Sequence, residues 1–280
     1  MDEITIEMFK DKERKNLFAT YNHIEMVMVE EDHAVFRLNI QPESKNSYGM
    51  VHGGAIYAMA DNATGFAAHT DGRNYVTQTS ALHFLRNQSE GEIQADARVR
   101  HRGHSTCLVA VDILGEDEKL LASAMALCSD AELGPDGQVT GEPTEAALVA
   151  YAAALGLKKS QLKEEQPRVG EAPFDSVRKM MSTVHQQADG SYLQYTKGAP
   201  DEIIQRCDSY LKGSKVLPMT REAEQEILSA NRGMTQDALR VLGAAIRRHD
   251  KRPQSFEAAE LEQGMTFLGL AGMIDPIRPE

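Results

Sequence analysis

Asn46-Ser-Tyr-Gly49-Met-Val-His52-Gly53-Gly54 runs straight into Ala55-Ile-Tyr-Ala-Met-Ala-Asp61-Asn-Ala-Thr-Gly65, and the reading of this stretch decides the fold. Good helix formers over residues 55–68 predict a helix that is apolar nearly all round and therefore buried. Two glycines at its start leave backbone N–H groups, which lack intrahelical partners there, open to close approach, and the helix dipole adds positive potential. Such a terminus suits a carbonyl acquiring negative charge, with Gly53 as the donor. Asp61 follows eight residues later, which at about 1.5 Å per residue is roughly 12 Å along the same helix. One chain cannot bring both to one carbonyl. Two such helices running antiparallel across a dimer can, so the spacing predicts a dimer or a dimer of dimers.

Outward from this helix, residues 6–17 read as an amphipathic helix, and 23–29 and 34–40 as a strand pair turning at Glu31-Asp32. After Asp71-Gly72 come four strand-like stretches, 75–85, 92–100, 105–114 and 119–127, separated by Gly91, Gly103 and Gly115-Glu-Asp-Glu. One buried helix against a long antiparallel sheet is an α+β arrangement. Composition shifts over residues 129–140, where Gly134-Pro-Asp-Gly137 punctuates the chain, and the expected division is into domains 1–128 and 129–280. The second part reads as another α+β unit. Its predicted elements are a helix over 143–155 closed by Gly156, a hairpin of 180–187 and 191–197 around Ala188-Asp-Gly190, helices over 199–211 and 221–230, and strands over 240–247 and 266–274.

The 280 residues carry 30 Lys+Arg against 42 Asp+Glu, a net charge of −12. The excess is shared, with 12 basic against 19 acidic residues up to 128 and 18 against 23 beyond it. Neither half has the basic balance that neutralises phosphates, so nucleic acid is not an expected partner. Three widely separated cysteines, Cys107, Cys128 and Cys207, form neither a disulfide framework nor a zinc spacing, and no metal site is expected. The scattered cysteines fit a reducing cytoplasm, and an acidic N-terminus with no apolar run near 20 residues predicts a soluble chain without membrane insertion.

The Asn46 to Gly54 stretch with Asp61-Asn-Ala-Thr-Gly65, Phe84-Leu-Arg86 and the Arg102-Gly-His104 turn resembles the phenylacetate-pathway-like branch of hotdog-fold acyl-CoA thioesterases, over nearly all of residues 1–128. The resemblance implies a hotdog fold and hydrolysis of acyl-CoA or aryl-CoA esters at a dimer interface, without a required cofactor. Asp61 is then general base or nucleophile, a choice the residues leave open, and Gly53 and Gly54 open the helix that holds the carbonyl. Asn46 and His52 position the carbonyl or the helix terminus, and Thr79 orients the water. Arg86, Arg102 and His104 are candidates for the coenzyme A phosphates, since cationic donors suit a polyanion. An isolated helical Asp is ordinarily a solvent-facing residue, and on this nearly apolar helix it is conspicuous.

From Leu127-Cys-Ser-Asp-Ala onward the chain resembles the nucleotide-binding domain of P-type cation-transporting ATPases of the calcium-pump type. The matching motifs, in order, are Gly141-Glu-Pro-Thr-Glu145, Pro173-Phe-Asp-Ser-Val-Arg-Lys179-Met, Lys197-Gly-Ala-Pro200, Leu239-Arg-Val-Leu and Asp275-Pro-Ile-Arg278. The resemblance implies ATP as a ligand, with Phe174 stacked on adenine, Glu145 at the base, Lys179 and Lys197 lining the pocket and Arg240 reaching toward phosphate. Gly198 either lets backbone approach that ligand or serves as a strand-end turn. No Asp-Lys-Thr-Gly phosphorylation motif is present, so ion pumping by this chain alone is not expected. Two rival readings remain: an ATP-binding module for which the first half supplies dimerisation or acyl-CoA binding, and a hydratase on the same first fold.

Overall fold

The computed structural model describes residues 3–84, 87–134, 139–213 and 215–274. The chain divides between Glu116 and Asp117 into two compact units.

The first unit opens with helices α1 (Glu3–Lys15) and α2 (Leu17–Tyr21), followed by strands β1 (Ile24–Glu30) and β2 (His33–Asn39). A 3-10 turn at Pro42–Ser44 leads to helix α3 (Gly53–His69), and strands β3 (Glu92–Arg102) and β4 (Cys107–Gly115) complete the unit. The β1–β2 turn is tightened by Asp32 at φ 60°, and the four strands pair antiparallel in the order β1-β2-β3-β4. Alternation puts Ile24, Phe36, Leu38, Ile93, Ala95 and Ala97 on the inner face, where they bury Ile56, Met59, Ala63 and Phe66 of α3. Phe36 meets Phe66 edge-on with ring centroids 4.9 Å apart.

Two expected strands are not strands. Residues 75–84, the described part of the 75–85 stretch, form no strand and are mostly exposed. Their β-prone residues are not enough without a neighbouring strand to bond, because strand preference is chiefly a packing preference. The 119–127 stretch lies within helix α4 (Glu116–Leu127). Glu, Lys, Leu, Ala and Met dominate it, all strong helix formers. Residues Ala122 to Cys128 are buried in the core of the second unit together with Leu148, Ala152, Leu193 and Tyr195. The units therefore part at the first residue of α4, twelve residues ahead of the expected division after residue 128, because the helix's apolar surface belongs to the second core.

After α4 come the short strands β5 (Glu132–Leu133) and β6 (Val139–Thr140), then helices α5 (Pro143–Ala154) and α6 (Lys159–Glu165). Strands β7 (Arg168–Asp175), β8 (Met180–Gln186) and β9 (Tyr192–Gly198) lead to helix α7 (Pro200–Ile204) and strands β10 (Cys207–Lys212) and β11 (Lys215–Pro218). Helix α8 (Arg221–Gln236), strand β12 (Arg240–His249), helix α9 (Ala258–Leu261) and strand β13 (Met265–Met273) complete it. Seven of the strands form one sheet in the order β11-β10-β13-β12-β9-β8-β7, antiparallel except where β10 runs parallel to β13. The expected 199–211 helix is cut short. Only α7 forms, and residues 207–212 become β10, whose Cys207 and Tyr210 pack on a core with Met265 and Phe267.

Candidate functional site

At the start of α3, His52 is the N-cap. Its Nδ1 accepts the Gly54 N–H at 2.9 Å, and its carbonyl accepts the Ala55 and Ile56 N–H groups. These bonds leave the Gly53 N–H without a partner among the described residues, which makes it the free donor of the terminus. His52 thus holds the helix end, and the accepting Nδ1 puts its ring proton on Nε2. Asn46 shapes the preceding loop, its Oδ1 accepting the Tyr48 and Met50 N–H groups at 2.9 and 3.2 Å. A Cβ on Gly53 would lie 3.6 Å from the Phe84 ring, ordinary contact, so packing within the chain does not demand glycine there.

Asp61 is exposed, on the same face of α3 as Gly54 and the half-exposed Tyr57, which are spaced three and four residues apart. Its Oδ1 accepts the Thr77 hydroxyl at 2.6 Å. The hydroxyl brought to Asp61 within the chain is therefore that of Thr77. Thr79, two residues on, is exposed and has no polar partner among the described residues. The sequence signal for Thr77 was the hydroxyl-rich Thr77-Gln-Thr-Ser run, whose register no helical or strand period fixed.

Arg102 is not available to a phosphate. Its guanidinium donates to the Ala67 and Ala68 carbonyls at 3.1 and 2.8 Å, to the Thr70 hydroxyl at 2.9 Å and to Asp32, and lies 2.9 Å from the Asp71 carboxylate. It closes the C-terminal end of α3, where carbonyls lack intrahelical donors and the dipole favours a cation. Burial opposes the Asp71 charge, but bonds from the Arg73 backbone and side chain, from Tyr75 and the nearby Arg102 charge hold its carboxyl down at about 2. His104 is exposed, with its carbonyl accepting from Arg73 at 3.0 Å. Arg86 lies outside the described residues.

In the second unit, Glu145 sits in the first turn of α5 and Lys197 on β9, and they meet at 2.6 Å. Lys197 also donates to the Ser129 hydroxyl at 2.7 Å, while the other Glu145 oxygen accepts the Asp130 and Ala131 N–H groups. Burial would raise the Glu145 carboxyl, yet the bond and charge of Lys197 outweigh it and hold the pKa below the usual value. Phe174 on β7 presents an exposed ring. Lys179 is exposed at φ 54°, with its Nζ 3.6 Å from Glu202. Arg240 opens β12 with its side chain exposed and unpartnered among the described residues. Gly198 has a packing role: a Cβ there would lie 2.3 Å from the Lys179 carbonyl and 2.5 Å from the Met180 Cβ. Sequence reading missed Lys159, whose buried Nζ donates to the Ser129 and Ala131 carbonyls at 2.8 and 2.5 Å. Burial lowers its pKa, and its Lys-Lys-Ser setting carried no sign of a core position.

Comparison with known families places both halves. Residues 118–280 match the family described as P-type ATPase, cytoplasmic domain N, and residues 48–122 match the thioesterase superfamily. The chain belongs to the P-type ATPase cytoplasmic N-domain family through more than half its length, and the thioesterase superfamily match lies largely ahead of that part. Calcium-transporting ATPase 1 of Bacillus cereus is 40% identical over 170 residues, covering 61% of this chain and 19% of that protein. The protein of the same name from Lactococcus lactis is 39% identical over 171 residues, covering 60% and 19%. The chain thus spans about a fifth of the length of these relatives. Among solved structures, the Escherichia coli PaaI protein from the phenylacetic acid degradation operon is 23% identical with a TM-score of 0.39, covering 41% of this chain and 83% of its own. A conserved Pseudomonas aeruginosa protein is 24% identical with a TM-score of 0.37, covering 38% and 88%. Among the described residues, no helix is long and apolar enough to cross a membrane.

Proposed function

We propose that the first unit hydrolyses acyl-CoA or aryl-CoA thioesters at a site completed by a second copy, and that the second unit binds ATP without turning it over. The observation that supports hydrolysis is the pairing of a free Gly53 N–H at the start of α3 with an exposed Asp61 about two turns further along it. In an antiparallel pair of α3 helices, the Gly53 N–H of one copy polarises the thioester carbonyl and Asp61 of the other activates water or attacks the carbon. Thr77 holds the Asp61 carboxylate in place. Coenzyme A leaves as the thiol, and the acyl group leaves as the carboxylic acid, formed by water directly or by water cleaving the anhydride with Asp61. For the second unit, Phe174 offers an aromatic face for a purine, and Lys179 and Arg240 offer cations for its phosphates. The exposed Phe174 also favours a second reading, in which nucleotide binding is the chain's main task and the first unit supplies association or acyl-CoA binding.

The test is thiol release from a panel of acyl- and aryl-CoA esters by the full chain, beside Asp61→Ala at matched oligomeric state. A fall of two or more orders of magnitude in the variant is the expected result. Failure of the unaltered chain to cleave any ester, or full activity in Asp61→Ala, overturns the hydrolytic reading and leaves the second one.

A further inference from the structure

The helix α4 occupies a stretch to which both units have a claim. Among the described residues β4 is the last strand of its sheet, with no strand beside its outer edge. It ends at Gly115, and α4 begins at the next residue without a turn between them. The residues that follow could serve either way: Glu116-Asp-Glu makes a polar connection, and seven of the eight residues from Leu120 to Leu127 are apolar, a short continuous run that fits a buried strand as well as a buried helix. The thioesterase match runs to residue 122 and the N-domain match starts at 118, so the two families overlap on this segment. The Glu116 side chain accepts the Glu92 N–H at 3.1 Å, which ties the start of the segment to β3 and sets the pivot after it.

We propose that residues 117–127 are a contested segment, usable either as a fifth strand returning along β4 or as helix α4 of the second core, but not as both at once. The structure shows the state in which the second unit holds it. Helix propensity and the burial of Ala122, Ala124, Met125, Ala126 and Leu127 favour that state. Its consequence is an open sheet edge that carries the exposed Leu108 and has neither Lys nor Pro to block pairing. Completeness of the first sheet and integrity of the second core are thereby coupled with opposite sign. A ligand that tightens the second core keeps the edge open, and one that needs the complete sheet draws the segment out.

The experiment is hydrogen exchange read by mass spectrometry on the full chain, comparing it with Leu148→Ala, which weakens the seat of α4 without altering the first unit. The second variant, Ser123→Val, lowers helix propensity and raises strand propensity within the segment and leaves the rest of the second core whole. The expected result is faster exchange at those amides of 119–127 that a strand beside β4 leaves unbonded, together with at least tenfold slower exchange of the β4 amides that face away from β3. Loss of protection over 119–127 with β4 unchanged overturns the proposal, as does full retention of protection over 119–127 in both variants. If Leu148→Ala unfolds the second unit outright, the segment is released, and slower exchange along β4 must still appear.

Discussion

Replacing Arg102 by Ala distinguishes two roles that predict opposite outcomes. A phosphate-binding arginine would be lost from a folded protein, whereas the arginine seen here holds the fold itself. Its removal leaves the Ala67 and Ala68 carbonyls at the end of α3 without their donor and Asp32 without its cation, and leaves Asp71 with Arg73 alone. The guanidinium is mostly covered, with 17% of its side chain exposed, so solvent screens these bonds only in part. Breaking a paired, largely buried charge costs about 3–5 kcal/mol, and hydrogen bonds to charged groups about 1.5–3 kcal/mol each, which overlap rather than add. A loss near 3 kcal/mol shifts the melting of a domain of this size by roughly 10 °C or more. The assay is scanning calorimetry of the full chain, with the first unit's transition assigned by exchange of α3 amides. An unshifted first transition, combined with a weaker apparent affinity for coenzyme A esters, would refute the structural role and restore Arg102 to the phosphate site.

Three further outcomes follow from the same geometry. Thr77→Val should lower thioester hydrolysis about tenfold by freeing the Asp61 carboxylate, while Thr79→Val should leave the rate within twofold; equal losses in steady-state assays would remove Thr77 from the site. Gly198→Ala should destabilise the second unit by about 1–3 kcal/mol in urea titrations, because the added methyl overlaps the β8 backbone, and an unchanged midpoint would mean the strands yield freely. Asp71 should titrate near 2 by carboxyl NMR, below its ordinary 3.8. The sign follows: its contribution to stability is present above the unfolded value and is lost as pH falls from there through about 2, and a titration near 4 would contradict the bonds from Arg73 and Tyr75.

How much was legible beforehand differed by element. Helix α3, the β1–β2 pair, β3, β4, the β8–β9 hairpin, α5 and α8 follow from apolar period, caps and turns, all of which act within a few residues. The reading erred over 75–84, 119–127 and 199–211, where intrinsic preference was ambiguous and the available partner chose the conformation. Local spacing alone also put Gly53 and Asp61 on one helix about two turns apart, and it ordered the motifs from Glu145 to Arg240 along the second unit. Only the tertiary structure decided that Arg102 serves the end of α3, that Thr77 rather than Thr79 meets Asp61, that Lys197 is paired with Glu145, and that α4 lies in the second core. The physical reason is the same throughout. A hydrogen-bond donor goes to the unsatisfied acceptor that folding brings beside it, and the partner pairs here lie 16 to 52 residues apart, beyond the reach of any local period.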